Sequence, residues 1–77
     1  MPVSQSKAFE EDYPTICRFV EEIGWIEIGQ HEMLSAFVRA YDFGGTVYEG
    51  KDHYPSMEAA LQDLEAGVKA YLDEHGI

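Results

Sequence analysis

Three histidines and one cysteine are the side chains of this sequence best suited to metal binding or nucleophilic catalysis. His31, His53 and His75 are equally spaced along the chain, and the segments around them favour two loops and the end of a helix. A metal ion needs converging ligands, and so wide a spacing supplies none by itself. Cys17 has no histidine near it in the sequence, which favours a buried structural thiol over a nucleophile. We therefore expect no metal, no cofactor and no catalytic residue.

Acidic runs and one polar loop are the other groups that can do chemistry. Residues 10–12 and 21–22 are charge runs typical of a solvated surface, whereas acid–base catalysis needs carboxylates in a dry cleft. The segment "KDHYPS" at 51–56 leads into a helix, and a helix start can hold an anion. Lys51 would favour that use and Asp52 would oppose it, so we interpret this loop as a connection that ends in a capping serine. We expect that the protein is not an enzyme.

Size and cysteine content limit how the chain can be stabilised. With 77 residues it forms one domain, and small domains bury only about 60% of the surface of the unfolded chain. Cys17 cannot form an internal disulfide, so a partner, in the simplest case a second copy, is expected to contribute. Residues 1–8 lack the apolar core of a secretory signal, and no apolar run approaches about 20 residues. These features predict a soluble, cytoplasmic protein with no membrane partner.

The charge balance excludes one class of partner. Fifteen acidic residues against five basic ones give a formal net charge of −10. Phosphate backbones repel such a surface, so we expect no direct nucleic-acid binding. We interpret the charge first as a means of solubility; it would also favour a basic protein partner or mimic a polyanion.

Periodicity predicts the elements that position these residues. Pro14 starts a helix over 14–23, and alternation predicts strands at 25–30, 35–42 and 46–50 with turns between them. Ser56 caps a second helix with an apolar side; its charged and polar side comprises Glu58, Gln62, Asp63, Glu65, Lys69 and Asp73. The order predicts a two-layer α+β domain over 12–77, with two helices on one face of a three-stranded antiparallel meander. Residues 1–11 are predicted to be a flexible arm.

The strand "SAFVRAYD" at 35–42 raises the main functional question, because neither of its faces is polar. Parity places Ile26, Ile28, Ala36, Val38, Ala40 and Val47 on one face of the sheet. Turn lengths predict Glu27 opposite Arg39, Trp25 opposite Tyr41, Arg39 opposite Tyr48 and Tyr41 opposite Thr46. The opposite face of the sheet carries large aromatic side chains and one ion pair. It is too apolar for a free surface and too polar for a dry core. It is predicted to be an interface, most simply between two copies, and its residues are Trp25, Glu27, Phe37, Arg39, Tyr41 and Tyr48.

Two alternatives to this interface remain open at the level of sequence. The N-terminal arm folds over the aromatic face, or the two faces are exchanged and the aromatic side chains form the core.

The chain resembles known families at two levels. Its α-β-β-β-α order is similar to that of double-stranded RNA-binding domains, but the second helix lacks their lysine-rich start. Ser56, Glu58, Ala60 and Leu61, with Tyr71 and Leu72, resemble the strand–loop–helix of HicB-type antitoxins over residues 46–75. That resemblance implies an acidic protein that covers a basic toxin. The segment "GWIEIG" is similar to parts of small bacterial proteins, which implies no function.

Two functions follow as hypotheses. The first is a non-enzymatic protein–protein interaction module that forms a homodimer, either through the aromatic sheet face or through a sheet edge, since the predicted edge strands 25–30 and 46–50 carry unpaired backbone groups. The second is an antitoxin-like or regulatory protein that masks a basic partner.

Overall fold

The fold has the order of elements that the hydrophobic pattern predicts. The computed structural model describes residues 9–30 and 32–76. Helix α1 (Pro14–Glu22) is followed by strands β1 (Trp25–Ile28), β2 (Val38–Asp42) and β3 (Gly45–Glu49), and helix α2 (Met57–Glu74) ends the described chain. The three strands form one antiparallel sheet in the order β1-β2-β3. The predicted α+β class is therefore confirmed.

The core lies between the helices and one face of the sheet. Helix α2 packs against β2, β3 and α1, and α1 also contacts β1. Val38 and Ala40, at the centre of the middle strand, have no solvent exposure. The buried apolar residues of the core are Ile16, Phe19, Val38, Ala40, Ala60, Leu64, Val68 and Leu72.

Local chemistry explains where the two helices begin. Pro14 occupies the first turn of α1, where its missing N–H costs nothing. Ser56 caps α2, since its side-chain oxygen accepts a hydrogen bond from the Ala59 backbone N–H at 3.1 Å. Glu58 lies in the first turn of α2, where the helix dipole favours a negative charge.

The register between β1 and β2 is the predicted one, with Trp25 opposite Tyr41 and Glu27 opposite Arg39. Both strands are shorter than predicted, because β1 ends at Ile28 and β2 begins at Val38. Beyond the strand ends, the Arg39 side chain donates to the carbonyl oxygens of Gly29 and Ala36, and Gly29 adopts a positive φ of 131° that a regular strand does not have.

The register between β2 and β3 departs from the prediction at a β-bulge. Tyr41 lies opposite Thr46 as predicted, but Tyr48 lies opposite Ala40 and not opposite Arg39. The bulge adds one residue of β3 between these pairs, and an extra residue exchanges the faces of the side chains beyond it. The predicted Arg39–Tyr48 pair is therefore wrong, and Glu49 takes the place opposite Arg39.

The N-terminal end carries helical structure before α1. Residues 9–12 are helical, and the rings of Phe9 and Tyr13 lie 5.0 Å apart. The rest of the predicted flexible arm lies outside the described residues. In the part of the chain that the structure describes, no helix combines the length and the apolar character that crossing a membrane requires.

Candidate interaction surface

Arg39 is the centre of the sheet face that points away from the helices. Its side chain is only 4% exposed, although arginine is almost never fully buried without partners. Its guanidinium donates to Glu27 Oε1 at 3.4 Å, to the Gly29 carbonyl oxygen at 3.2 Å and to the Ala36 carbonyl oxygen. The three acceptors fix the position of the planar guanidinium group. The bonds to Gly29 and Ala36 also hold the start and the end of the loop between β1 and β2 together.

Two aromatic side chains on the strands and one in the turn form an exposed cluster beside Arg39. Trp25 is 42% exposed, and its ring lies 5.9 Å from that of Tyr41 on the neighbouring strand. Phe43 is 94% exposed, and its ring lies 5.8 Å from that of Trp25. We call Trp25, Tyr41 and Phe43 the aromatic patch. Contiguous exposed apolar side chains of this kind are typical of contact sites.

The sequence prediction missed Phe43. This residue lies in the two-residue turn between β2 and β3, since Asp42 pairs with Gly45. The Asp42 side chain accepts a hydrogen bond from the Gly44 N–H at 2.8 Å, which stabilises the turn. A two-residue turn beside a glycine pair does not require a large aromatic side chain. The presence of Phe43 there is the sequence signal that could have identified it as a surface residue with another role.

Tyr48 belongs to the helix face and not to the predicted interface. Its hydroxyl donates to Asp63 Oδ1 at 2.9 Å, and the hydroxyl of Tyr54 donates to the other carboxylate oxygen of Asp63. A side chain at Gly67 would overlap the Tyr48 ring, so the glycine makes room for the ring against α2. The correction follows from the bulge, which turns Tyr48 toward the core.

This network raises the pKa values of both tyrosines. Burial, and then the hydrogen bond to Asp63, raise the pKa of Tyr48 to about 12. The same two causes raise the pKa of Tyr54, while the hydrogen bond from the Lys51 backbone N–H opposes the rise. Asp63 therefore acts as a structural acceptor that ties the loop after β3 to α2.

Phe37 also lies away from the predicted interface. It precedes β2, packs against the core, and its ring lies 6.3 Å from that of Tyr54. Two clefts of about 270 and 310 Å³ border it, and Gln30 and Asp52 line both.

Glu65 is a second residue whose role the sequence prediction missed. Its two carboxylate oxygens accept hydrogen bonds from the backbone N–H groups of Thr15 and Ile16, both at 2.9 Å. The cap residue of α1, Tyr13, makes no side-chain capping bond. The start of α1 is therefore capped by a side chain from α2.

The groups that first suggested chemistry are not brought together. Burial, followed by the charges of Glu10, Glu21 and Glu65, raises the pKa of the Cys17 thiol, which favours its unreactive protonated form. His75 lies at the end of α2, where its ring stacks on Tyr71 at 4.1 Å. His31 lies outside the described residues. Among the residues that are described, no group of three or more potential ligands is placed to hold a metal ion.

Comparisons with known proteins identify no relative of this chain. No protein-family model, no curated protein and no solved structure matches the chain. The resemblance of residues 46–75 to HicB-type antitoxins therefore stays a prediction.

Proposed function

We propose that this protein is a non-enzymatic protein–protein interaction module that self-associates through the aromatic patch. The observation that carries the proposal is the exposure of Trp25 and Phe43, whose rings contact each other on a face that no helix covers in the described chain. Trp, Tyr, Phe and Arg are the residue types enriched in protein interfaces.

Electrostatics restrict the surfaces through which two copies can meet. Each chain carries a net charge of −10, so most surfaces of two copies repel each other. The aromatic patch has no charged member, and the nearby charge of Glu27 is balanced by Arg39. The rings of two such patches can approach across a two-fold axis, while the carboxylates of Glu21 and Glu22, which border the patch on the side of α1, oppose the contact and weaken it.

The exposed area predicts a weak association. Trp25 and Phe43 together expose on the order of 300 Å² per chain, taking about 200–250 Å² for each aromatic side chain. Stable interfaces bury about 800 Å² per partner. We therefore expect a dimer with a micromolar or weaker dissociation constant, in which the exposed rings supply much of the binding energy.

Sedimentation over a wide range of concentration tests the proposal. We expect the mass to rise from that of one chain toward that of two, and Phe43→Ser to weaken the dimer by at least about fivefold. Met57→Ser is the matched control, because Met57 is 53% exposed but lies at the start of α2, away from the patch. A mass of one chain at every concentration would refute self-association.

A second candidate function is a regulatory protein, similar to an antitoxin, that masks a basic partner. The distribution of charge favours it, because acidic residues outnumber basic ones by fifteen to five and two basic residues of the described chain lie in ion pairs. Arg39 is buried against Glu27, and Lys69 pairs with Asp73 at 3.0 Å. The accessible surface is thus acidic, and it attracts a basic protein over distances of about a Debye length.

A further inference from the structure

An apolar groove lies at the corner where α1 ends and the turn between β2 and β3 comes close. Its volume is about 230 Å³, and it continues the aromatic patch toward α1. Apolar side chains from both sides form its walls: Val20, Ile23, Trp25 and Phe43. Val20 is 47% exposed although it belongs to the apolar side of a helix, so it extends the apolar surface of the rings.

The rim of this corner groove is acidic. Glu21 and Glu22 lie in the last turn of α1, both are exposed, and that turn holds no basic residue. The carbonyl end of a helix is itself negative, so two carboxylates there oppose the helix dipole. Departures from such local rules are expected at functional or strained sites.

Charge complementarity identifies the occupant. An acidic rim around an apolar groove attracts cationic side chains that flank an apolar one, and it repels another chain with a net charge of −10. An amphipathic helix that places an apolar face in a groove is a common form of recognition. Lysine and arginine can also pack against exposed aromatic rings such as those of Trp25 and Phe43.

We infer that the corner groove binds a basic amphipathic segment of a partner protein. An apolar side chain of the segment packs between Val20 and the rings of Trp25 and Phe43, and its lysine or arginine side chains pair with Glu21 and Glu22. This inference deepens the second candidate function and rests on it. Because the aromatic patch also contains Trp25 and Phe43, the basic segment and a second copy exclude each other.

A synthetic helical peptide with leucine on one face and lysine on the other is the probe. Trp25 is the only tryptophan of the chain, so its fluorescence reports directly on the groove. We expect the peptide to change that fluorescence and to shift the amide signals of residues 20–25 and 43 in NMR spectra. We expect peptides with glutamate in place of lysine, or serine in place of leucine, to bind at least about fivefold more weakly.

Paired variants separate the groove from the general charge of the protein. The double variant E21Q/E22Q should weaken binding about twofold to tenfold, as expected for two exposed ion pairs. The double variant E10Q/E11Q removes the same charge from exposed residues before α1 and should change binding less than about twofold. Equal effects of the two double variants, equal binding of the glutamate peptide, or signal shifts confined to other residues would overturn the inference.

Sedimentation of the same samples distinguishes this inference from self-association. If the peptide binds at residues 20–25 while the free chain keeps the mass of one chain, the inference stands and self-association fails. If the chain dimerises but the peptide does not bind at about millimolar concentration, the inference fails and self-association stands.

Discussion

At the scale of single residues, the Arg39 side chain organises the side of the sheet that points away from the helices. It bonds to Glu27, to Gly29 and to Ala36, and it holds the loop between β1 and β2 against the strands. Interface and fold are therefore coupled at this position. A charge-reversing substitution of Arg39 would disturb the fold as well as any contact, so Phe43 is the better site for testing assembly.

Replacing Arg39 should destabilise the protein strongly. We expect Arg39→Ala to lower the free energy of unfolding by about 2–4 kcal/mol, because it leaves two backbone carbonyls and one carboxylate without their donor. Arg39→Lys should lose less, since it keeps the charge but not the fork. Urea unfolding measures the difference. Glu27→Gln is the control; Glu27 is partly exposed, so the loss should stay below about 1 kcal/mol, and a larger loss than for Arg39→Ala would contradict this account.

Tyr48 predicts how stability depends on pH. Its pKa in the folded chain is about 12, against 10.0 as the ordinary value, so the folded state holds the proton more tightly than the unfolded state. This contribution to stability is fully present below pH 10 and is lost as the pH rises from 10 to 12.

A thermal unfolding series at alkaline pH tests this dependence. We expect the melting temperature of the wild type to fall between pH 10 and pH 12, and the fall to be smaller in Tyr48→Phe. Tyr41→Phe removes a hydroxyl from the opposite face of the sheet and should leave the fall in place. The prediction fails if Tyr48→Phe and the wild type lose stability in parallel.

At the scale of elements, the two helices depend on each other through Glu65. Its carboxylate accepts hydrogen bonds from the Thr15 and Ile16 N–H groups, which have no acceptor within the helix. We expect Glu65→Ala to cost about 1–2 kcal/mol, the usual loss for a helix cap. Hydrogen exchange should show faster exchange at the amides of residues 15 and 16 than elsewhere in the core. Gln62→Ala, which changes an exposed residue of the same helix, should leave these amides protected.

The sequence predicts the elements and one of the two strand registers, but not the bulge. The helix starts at Pro14 and Ser56 are local signals, and alternation with turn length is sufficient to pair Trp25 with Tyr41. Nothing local marks the extra residue in β3, so strand alternation alone places Tyr48 on the wrong face. Periodicity places Asp63 and Glu65 on the polar side of the second helix, but it does not show the hydrogen-bond donors that other elements present to them.

At the scale of the whole molecule, the net charge of −10 predicts opposite effects of salt on the two proposed contacts. Salt screens the repulsion between two acidic chains, so self-association should strengthen as the NaCl concentration rises from about 0.01 M to about 1 M. The same screening weakens the attraction of a basic peptide to Glu21 and Glu22.

Dissociation constants measured along one salt series therefore test both contacts together. As the salt concentration rises, we expect the dissociation constant of the dimer to fall and that of the peptide complex to rise. A dimer that weakens with added salt would indicate contacts made by ion pairs and not by the aromatic patch.

The cap that Glu65 supplies to α1 also has a consequence for folding, because α1 can gain this cap only after α2 has formed. Glu65 lies about fifty residues after the helix it caps, and short helices are not stable alone. During synthesis, α1 is made about fifty residues before its capping residue. The hairpin of β2 and β3 with α2 does not need this cap, so we expect it to form first and α1 to be stabilised late, when the last helix docks. Substitutions at Glu65 should accordingly speed unfolding more than they slow folding.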